Sequence, residues 1–340
     1  MTVLNMELGE NSYKINVGQG LLDEADKHFN LDRKVLIVTD DGVPQEYAKK
    51  IAYLCKEPII VTVKSGEESK SFATLETLLE RMCEANFGRG DCAIAVGGGV
   101  VGDLTGFAAS MYMRGIDFYN VPTTLLSQVD SSIGGKTAIN FNGIKNVVGA
   151  FNQPKGVLVD TDTLHTLDKR QLASGLCEAI KMSLTSDKEL FEFFFNSNEK
   201  EIYENIEYVI VKSLKIKKAV VEEDEKESGK RKILNFGHTL GHGIESASGM
   251  DELLHGECVA LGMPPMCSAS VAKKLISVLK KVHLPYHYTG DISKALEYAS
   301  HDKKYSHGTL SVILVDDIGT CKIEKITTQD FSNLINKYYK

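Results

Sequence analysis

The chain has 340 residues, 43% hydrophobic and 25% charged, with a formal net charge of −7. A single hydrophobic core rarely grows past about 250–300 residues, so two domains are expected. The acidic balance excludes a basic field for nucleic acid, and no apolar run reaches the ~18 residues of a membrane span.

The opening stretch MTVLNMELGENSYK lacks the apolar core of a secretion signal. Seven cysteines (Cys55, Cys83, Cys92, Cys177, Cys258, Cys267, Cys321) are scattered and form no C-x-x-C pair. They read as reduced thiols of a cytoplasmic protein. KVLIVTD (34–40) is a β-branched run closing on Asp40, and EPIIVTV is a second strand. A polar loop follows it: Ser65, Gly66, Glu67, Glu68, Ser69, Lys70. Apolar residues at helical spacing occupy 72–86. DCAIAV and DFYNVP read as two further strands. Strands alternating with helices predict an α/β nucleotide-binding domain with a parallel, doubly wound sheet over residues 1–155. The linker is expected within FNQPKGVLVD (151–160).

Residues 156–340 are expected to form a mostly α-helical domain, with helical periodicity over 168–222 and 233–281. Pro264 and Pro265 fall where a helix would otherwise continue, so a late start or a kink is expected there. VEEDEKESGKRK reads as a solvated loop. TLSVILVDDIGTCKIEKI reads as two strands joined at Asp317–Gly319.

Within AIAVGGGVVGDLTGF, Gly97, Gly99 and Gly102 stand in G-x-G-x-x-G register between a strand and a helix. Glycines let the backbone approach a pyrophosphate, and the helix N-terminus presents unpaired N–H groups. The acidic residue expected about 20 positions downstream is missing, and Asp40 can do its work instead. The plainer alternative is a tight turn with no ligand.

LNFGHTLGHGIE places His238 and His242 four apart on one helical face, without the Glu of an H-E-x-x-H pattern. A catalytic zinc takes three protein ligands, and the candidates are His238, His242, His255 and a carboxylate. Glu178 lies among Leu176, Cys177, Ala179 and Ile180, too apolar a setting for an idle surface pair with Lys181. Glu178, His238 and His255 would make a Glu-His-His site. Lys136, Lys145, Asn146, Lys217, Arg231, Asn235, Lys303 and Lys304 form a second, mostly basic group. Each alone reads as a solvated surface residue. Several near glycines in an acidic chain suggest a pocket for a phosphorylated, carboxylated small molecule.

Several segments carry a resemblance to a known family: GGGVVGDLTGFAASMYMRG, VPTTLLSQVDSSIGGKTAIN, GIKNVVGAFNQP, ASGLCEAIKMS, VVEEDEKESGKRKILNFGHTLGHGIE and LLHGECVALGM. Over nearly its full length the chain resembles the 3-dehydroquinate synthases of the shikimate pathway, a branch of the sugar-phosphate cyclases. The resemblance implies NAD and one divalent metal, zinc or cobalt, as cofactors. It implies conversion of 3-deoxy-D-arabino-heptulosonate 7-phosphate to 3-dehydroquinate and phosphate. By matched position Glu178, His238 and His255 look like the metal ligands, and His242 like the histidine facing the substrate phosphate. NAD is expected at Asp40, the Ser65–Lys70 loop, Gly98, Gly99, Val100, Val101, Gly102, Asp103, Thr123 and Thr124. Lys136, Lys145, Thr163, Leu164, His165 and Thr166 complete that set. Substrate contacts are expected from Asp130, Lys136, Asn146, Lys181, Lys217, Arg231, Asn235, His242 and Lys303. Arg114 resembles an arginine that reaches a neighbouring subunit, implying a homodimer. The rivals are NAD- and metal-dependent polyol dehydrogenases, cyclases that build other rings, and a non-enzymatic NAD-binding module. Cyclases of other rings need no carboxylate site, so Lys217 and Arg231 argue against them.

Overall fold

A computed structural model describes residues 1–249, 252–301 and 309–339. The chain divides into two compact units, Met1–Leu167 and Asp168–Lys340.

The first unit is built on strands β1 (Thr2–Met6), β2 (Tyr13–Gly18), β3 (Lys34–Asp40), β4 (Glu57–Val63), β5 (Cys92–Gly97) and β6 (Asp117–Pro122). A hairpin of β7 (Lys136–Phe141) and β8 (Ile144–Phe151) follows, then β9 (Gly156–Asp160). Seven strands form one sheet in the order β1-β2-β9-β6-β5-β3-β4, parallel except for the β1–β2 pair.

Alternate residues of each central strand face opposite cores, as a pleated strand requires. Val35, Ile37, Ile94 and Val96 pack with Tyr47, Ala48 and Ile51 of helix α1 (Gln45–Leu54). Leu36, Val38, Ala93 and Ala95 pack on the other face with α2 (Phe72–Glu84) and α3 (Gly99–Met111), through Leu75, Leu78, Leu104 and Phe107. Helices on both faces make the sheet doubly wound, as expected.

The linker expectation needs correction. Phe151 ends β8, and residues 156–160 are β9, hydrogen-bonded between β2 and β6. All five residues of β9 are buried, so GVLVD is an interior strand whose polar lead-in, FNQPK, imitates a linker. The division falls after Leu167, not at 155.

The second unit carries α4 (Lys169–Ser186), α5 (Lys188–Asn196), α6 (Glu199–Glu204), α7 (Ile206–Glu223), α8 (His238–Ser248), α9 (His255–Gly262), α10 (Ala269–Lys281), α11 (Ile292–His301) and α12 (Thr328–Tyr339). One antiparallel pair, β10 (Thr309–Leu314) and β11 (Lys322–Thr327), joins them. Every residue of α4 from Ala173 to Thr185 is buried, which marks a central helix rather than an amphipathic surface one. The diproline acts as a break: α9 stops at Gly262, Pro264–Met266 form a 3-10 turn, and α10 starts at Ala269.

Candidate active site

In the first unit most of the residues expected around NAD lie at the carboxyl ends of the parallel strands, Lys136 and Lys145 of the hairpin excepted. Asp40 closes β3, the Ser65–Lys70 loop follows β4, Gly98 follows β5, and Thr123 and Thr124 follow β6. Thr163–Thr166 follow β9. β4 and β5 lie on opposite sides of β3, so the strand order reverses beside Asp40, the place where such sheets bind ligands.

Gly98 caps α3 without any side-chain hydrogen bond. The loop has no room for side chains: a Cβ on Gly97 would stand 2.6 Å from Val101 Cγ2, and one on Gly99 3.0 Å from Ser131 Oγ. Val100 is half-buried and Val101 buried, so they anchor the helix while Gly102 and Asp103 turn through its first turn. Asp40 is buried, and burial raises its carboxyl pKa against the amides of Gly42 and Val43.

Lys70 is the hub of this edge. Its buried ammonium lies 2.6 Å from Asp103 Oδ2 and 3.7 Å from Glu67 Oε1, and it donates to Asn146 Oδ1. Asn140 donates to Glu67 Oε1 at 2.9 Å and accepts from the Asn146 amide at 2.9 Å. Asn146, expected at the substrate, therefore bonds to a residue expected at the nucleotide.

The other expected residues of this unit differ in availability. The Thr163 hydroxyl donates to Asp160 O and accepts from Gln128 Nε2, and Thr166 Oγ1 bonds Tyr47 OH at 2.9 Å. Leu164 is buried, whereas His165 and Glu68 are exposed. Ser65 N donates to Asp41 Oδ1, and Ser69 Oγ to Lys64 O. Gly66 takes a positive φ of 107° at the loop's entry. Lys136 and Lys145 are exposed on the hairpin, and Asp130 lies half-buried in the π-helical turn Ser127–Ser131. Arg114 is exposed in a turn where Met113, Arg114 and Gly115 all have positive φ.

In the second unit Glu178, His238 and His255 converge, with one ligand atom of each within 4.8 Å of the others. His238 Nε2 is 3.7 Å and His255 Nε2 3.6 Å from Glu178 Oε1. Donors held about 2.0–2.2 Å from a tetrahedral ion stand roughly 3.3–3.6 Å apart, so these spacings fit a zinc-sized ion. Both Glu178 oxygens are buried and carry no hydrogen bond of good geometry among the described residues. His238 Nδ1 faces Phe236 O at 3.1 Å, which assigns the proton to Nδ1 and leaves the Nε2 lone pair toward Glu178.

The buried charges balance around the Glu178 carboxylate. Burial lowers the His238 pKa well below the usual range, and Lys181, His255 and His242 add to the shift, so the ring is neutral. Burial would raise the Glu178 pKa, but Lys181 and His255 outweigh it and hold the carboxylate ionised. Burial also works against a charged His255, which Glu178 and Glu245 overcome, raising its pKa.

Lys181 is one helical turn from Glu178. Its ammonium lies 2.5 Å from Glu178 Oε2 and donates to Leu234 O. His242 stands beside the trio, its ring centroid 5.4 Å from that of His238 and 5.9 Å from that of His255. Lys217 on α7 and Arg231 are buried.

The loop read as solvated is knit together. The Asp224 carboxylate accepts from the amides of Ser228, Gly229 and Arg231 at 2.7–2.9 Å. Arg231 donates to Glu225 O, and Asn235 Nδ2 to Glu227 Oε1. Lys303 lies outside the described residues.

Sequence reasoning missed Glu245, whose Oε2 is 3.7 Å from His255 Nδ1, and Asn140. Glu245 was findable, being three residues after His242 and so on the same face of α8.

Two family models cover most of the chain: "3-dehydroquinate synthase N-terminal" over residues 60–174 and "3-dehydroquinate synthase C-terminal" over 175–305. A 3-dehydroquinate synthase of Clostridium acetobutylicum is 41% identical, the match covering 97% of this chain and 98% of the relative. The chain belongs to the 3-dehydroquinate synthase family. Another family member, from Enterococcus faecalis, is 40% identical, with 98% of each chain covered.

Among solved structures the chain is similar to a 2-deoxy-scyllo-inosose synthase complexed with carbaglucose-6-phosphate, NAD+ and Co2+. That match has a TM-score of 0.89 at 26% identity and covers 99% of this chain and 100% of the other. A 2-epi-5-epi-valiolone synthase of Streptomyces hygroscopicus with NAD+ and Zn2+ bound gives 0.87 at 26%, covering 97% and 98%. A glycerol dehydrogenase of Schizosaccharomyces pombe, at 0.64 and 17% identity, shares the fold alone.

Proposed function

We infer that this chain catalyses the reaction for which its family is named, turning 3-deoxy-D-arabino-heptulosonate 7-phosphate into 3-dehydroquinate and phosphate. The observation that carries this is the match of about 40% identity along almost the whole chain, in which Glu178, His238 and His255 converge. The course is oxidation at C5, loss of phosphate, re-reduction, ring opening and an intramolecular aldol closure. When bound, NAD supplies reversible hydride acceptance, and a divalent zinc or cobalt ion supplies Lewis acidity at the hydroxyl being oxidised.

Glu178, His238 and His255 are the residues that would hold the metal. The carboxyl ends of the first unit's parallel strands would hold NAD, with its phosphates at the Gly98–Asp103 turn, where helix amides are free of side-chain caps. Lys70, tied to Asp103 and Glu67, keeps that turn and the Ser65–Lys70 loop in one arrangement. In the second unit Lys181, Lys217 and Arg231 supply cationic groups for the substrate's carboxylate and phosphate, Asn235 a polar contact, and His242 a donor beside the metal ligands. Asp130, Lys136 and Asn146 are proposed as further substrate contacts. Phosphate becomes a leaving group only after the neighbouring ketone acidifies C6, so cations around it stabilise charge that grows during elimination.

The chain is proposed to work as a homodimer in the cytoplasm. Arg114, exposed in its left-handed turn, is the residue expected to reach the partner copy, and seven free thiols suit a reducing compartment. No helix among the described residues is long and apolar enough to cross a membrane.

The test follows the cofactor. Purified protein given heptulosonate phosphate, NAD and zinc should release phosphate over many turnovers while free NADH absorbance stays flat. Stoichiometric NADH in solution without phosphate release would instead mark a dehydrogenase.

A further inference from the structure

The helix that begins with His255 meets the helix that carries Glu178 through a set of contacts no metal ligand makes. On α4, Arg170, Ser174 and Glu178 recur every four residues and so share one face. Arg170 forks onto Glu257, with Nε to Oε1 at 2.6 Å and Nη2 to Oε2 at 2.7 Å. The same Nη2 donates to Glu252 O at 2.7 Å. Glu257 in turn accepts from the Leu254 amide at 2.8 Å, closing the first turn of α9 onto its own start. One turn along α4, Ser174 Oγ accepts from the Gly256 amide at 3.1 Å, and a Cβ on Gly256 would stand 2.1 Å from Ser174 O. His255 sits inside this frame, preceded by the capped Leu254 amide and followed by Gly256 and Glu257.

We propose that Arg170, acting through Glu257, is a positioning residue that sets His255 against Glu178 and so fixes the spacing of the metal site. A bidentate guanidinium–carboxylate pair defines both distance and orientation, which a single contact cannot do. The glycine removes the side chain that would wedge the two helices apart. The frame is made of bonds that need no ion, so it acts on the spacing of the two ligands independently of one. Arg170 is half-exposed, whereas the Glu257 side chain is only 10% exposed, so the acceptor end of the fork is the rigid one.

The proposal rests on the metal reading above, and the experiment separates the two. Metal-stripped parent protein, Arg170→Gln, Glu257→Gln and the double variant are titrated with zinc against a chromogenic chelator. Thermal midpoints are recorded without metal. Each single variant should bind zinc about ten-fold or more weakly, the range found when groups orienting a ligand are removed. The double variant should be no weaker than the weaker single, because both changes break one fork. Arg170→Lys keeps the charge but loses the fork, and should fall between parent and Arg170→Gln. It also supplies the reading should Arg170→Gln fail to fold. Lys212→Met breaks the pairs with Asp187 and Glu189 elsewhere in the same unit and should leave zinc affinity unchanged, whatever it does to the midpoint. Parent binding one zinc while both Arg170 variants match it within about two-fold would overturn the positioning role alone. Failure of the parent to bind zinc would overturn the metal centre and the positioning role together.

Discussion

Replacing Lys181 with Met tests whether the buried charges of the second unit are arranged for a cation. The side chains of Lys181 and Glu178 are each only 1% exposed, and ammonium and carboxylate lie 2.5 Å apart. Removing one member of a buried pair leaves the other uncompensated, a loss of about 3–5 kcal/mol. His255 Nε2, 3.6 Å from Glu178 Oε1, remains as a partial countercharge and places the expected loss at the lower end, about 3 kcal/mol. For a unit of this size that lowers the metal-free thermal midpoint by roughly 6–12 °C. In the parent the Glu178 carboxyl pKa is depressed, so its contribution is present above the unfolded value of about 4.3 and lost as pH falls below it. In the variant the part of that depression supplied by Lys181 is gone, so less of this pH-dependent contribution remains above the unfolded value. The gap between the two proteins should thus be widest at neutral pH and close as pH falls. Zinc should narrow it as well, since the ion restores the missing positive charge. Differential scanning calorimetry of metal-free and zinc-loaded protein at two pH values reads all of this. A metal-free midpoint within about 2 °C of the parent's at neutral pH, or a gap that zinc widens, would show that Lys181 does not balance the Glu178 charge.

His238→Ala should remove metal and activity together, whereas His242→Ala should retain the metal and slow turnover; elemental analysis of the purified variants separates them. Arg231→Met should weaken substrate binding by about 2–5 kcal/mol, as loss of a buried charged partner does, while NAD titration shows little change. Gly97→Ala would set a methyl 2.6 Å from Val101 Cγ2, an overpacking of about 1–3 kcal/mol, and NAD affinity should fall with it. Unchanged NAD affinity there would remove the turn from the nucleotide site.

Much of the fold was open to reading because its signals are local. KVLIVTD and DCAIAV are β-branched or small apolar runs bounded by polar loops, and FATLETLLERMCE carries an apolar helical face. GVLVD was misread for the opposite reason: its place between β2 and β6 is fixed by pairing with residues far away in the chain. The same divide runs through the site. Glu178 stands out because a charge amid apolar neighbours is anomalous in a short window. Glu257 does not, since a glutamate in a first helical turn is common, and only its distance to Arg170, 87 residues away, gives it meaning. The knotted Asp224 loop was hidden likewise, because charge composition says nothing of which amides a carboxylate collects.

The glycines between the second unit's helices extend the demands of the site to residues with no chemistry. A Cβ on Gly262 would lie 2.0 Å from Gly237 O, one on Gly241 3.0 Å from Cys258 O, and one on Gly243 2.2 Å from Ala295 O. These contacts press α8 against α9 and α11 backbone to backbone, and α8 and α9 carry the histidines. In a saturation scan of this unit, such positions should tolerate replacement as poorly as the histidines themselves, even by alanine. Loss of function would then map a patch wider than the reacting groups, and an inactive glycine variant would report helix spacing rather than a missing ligand.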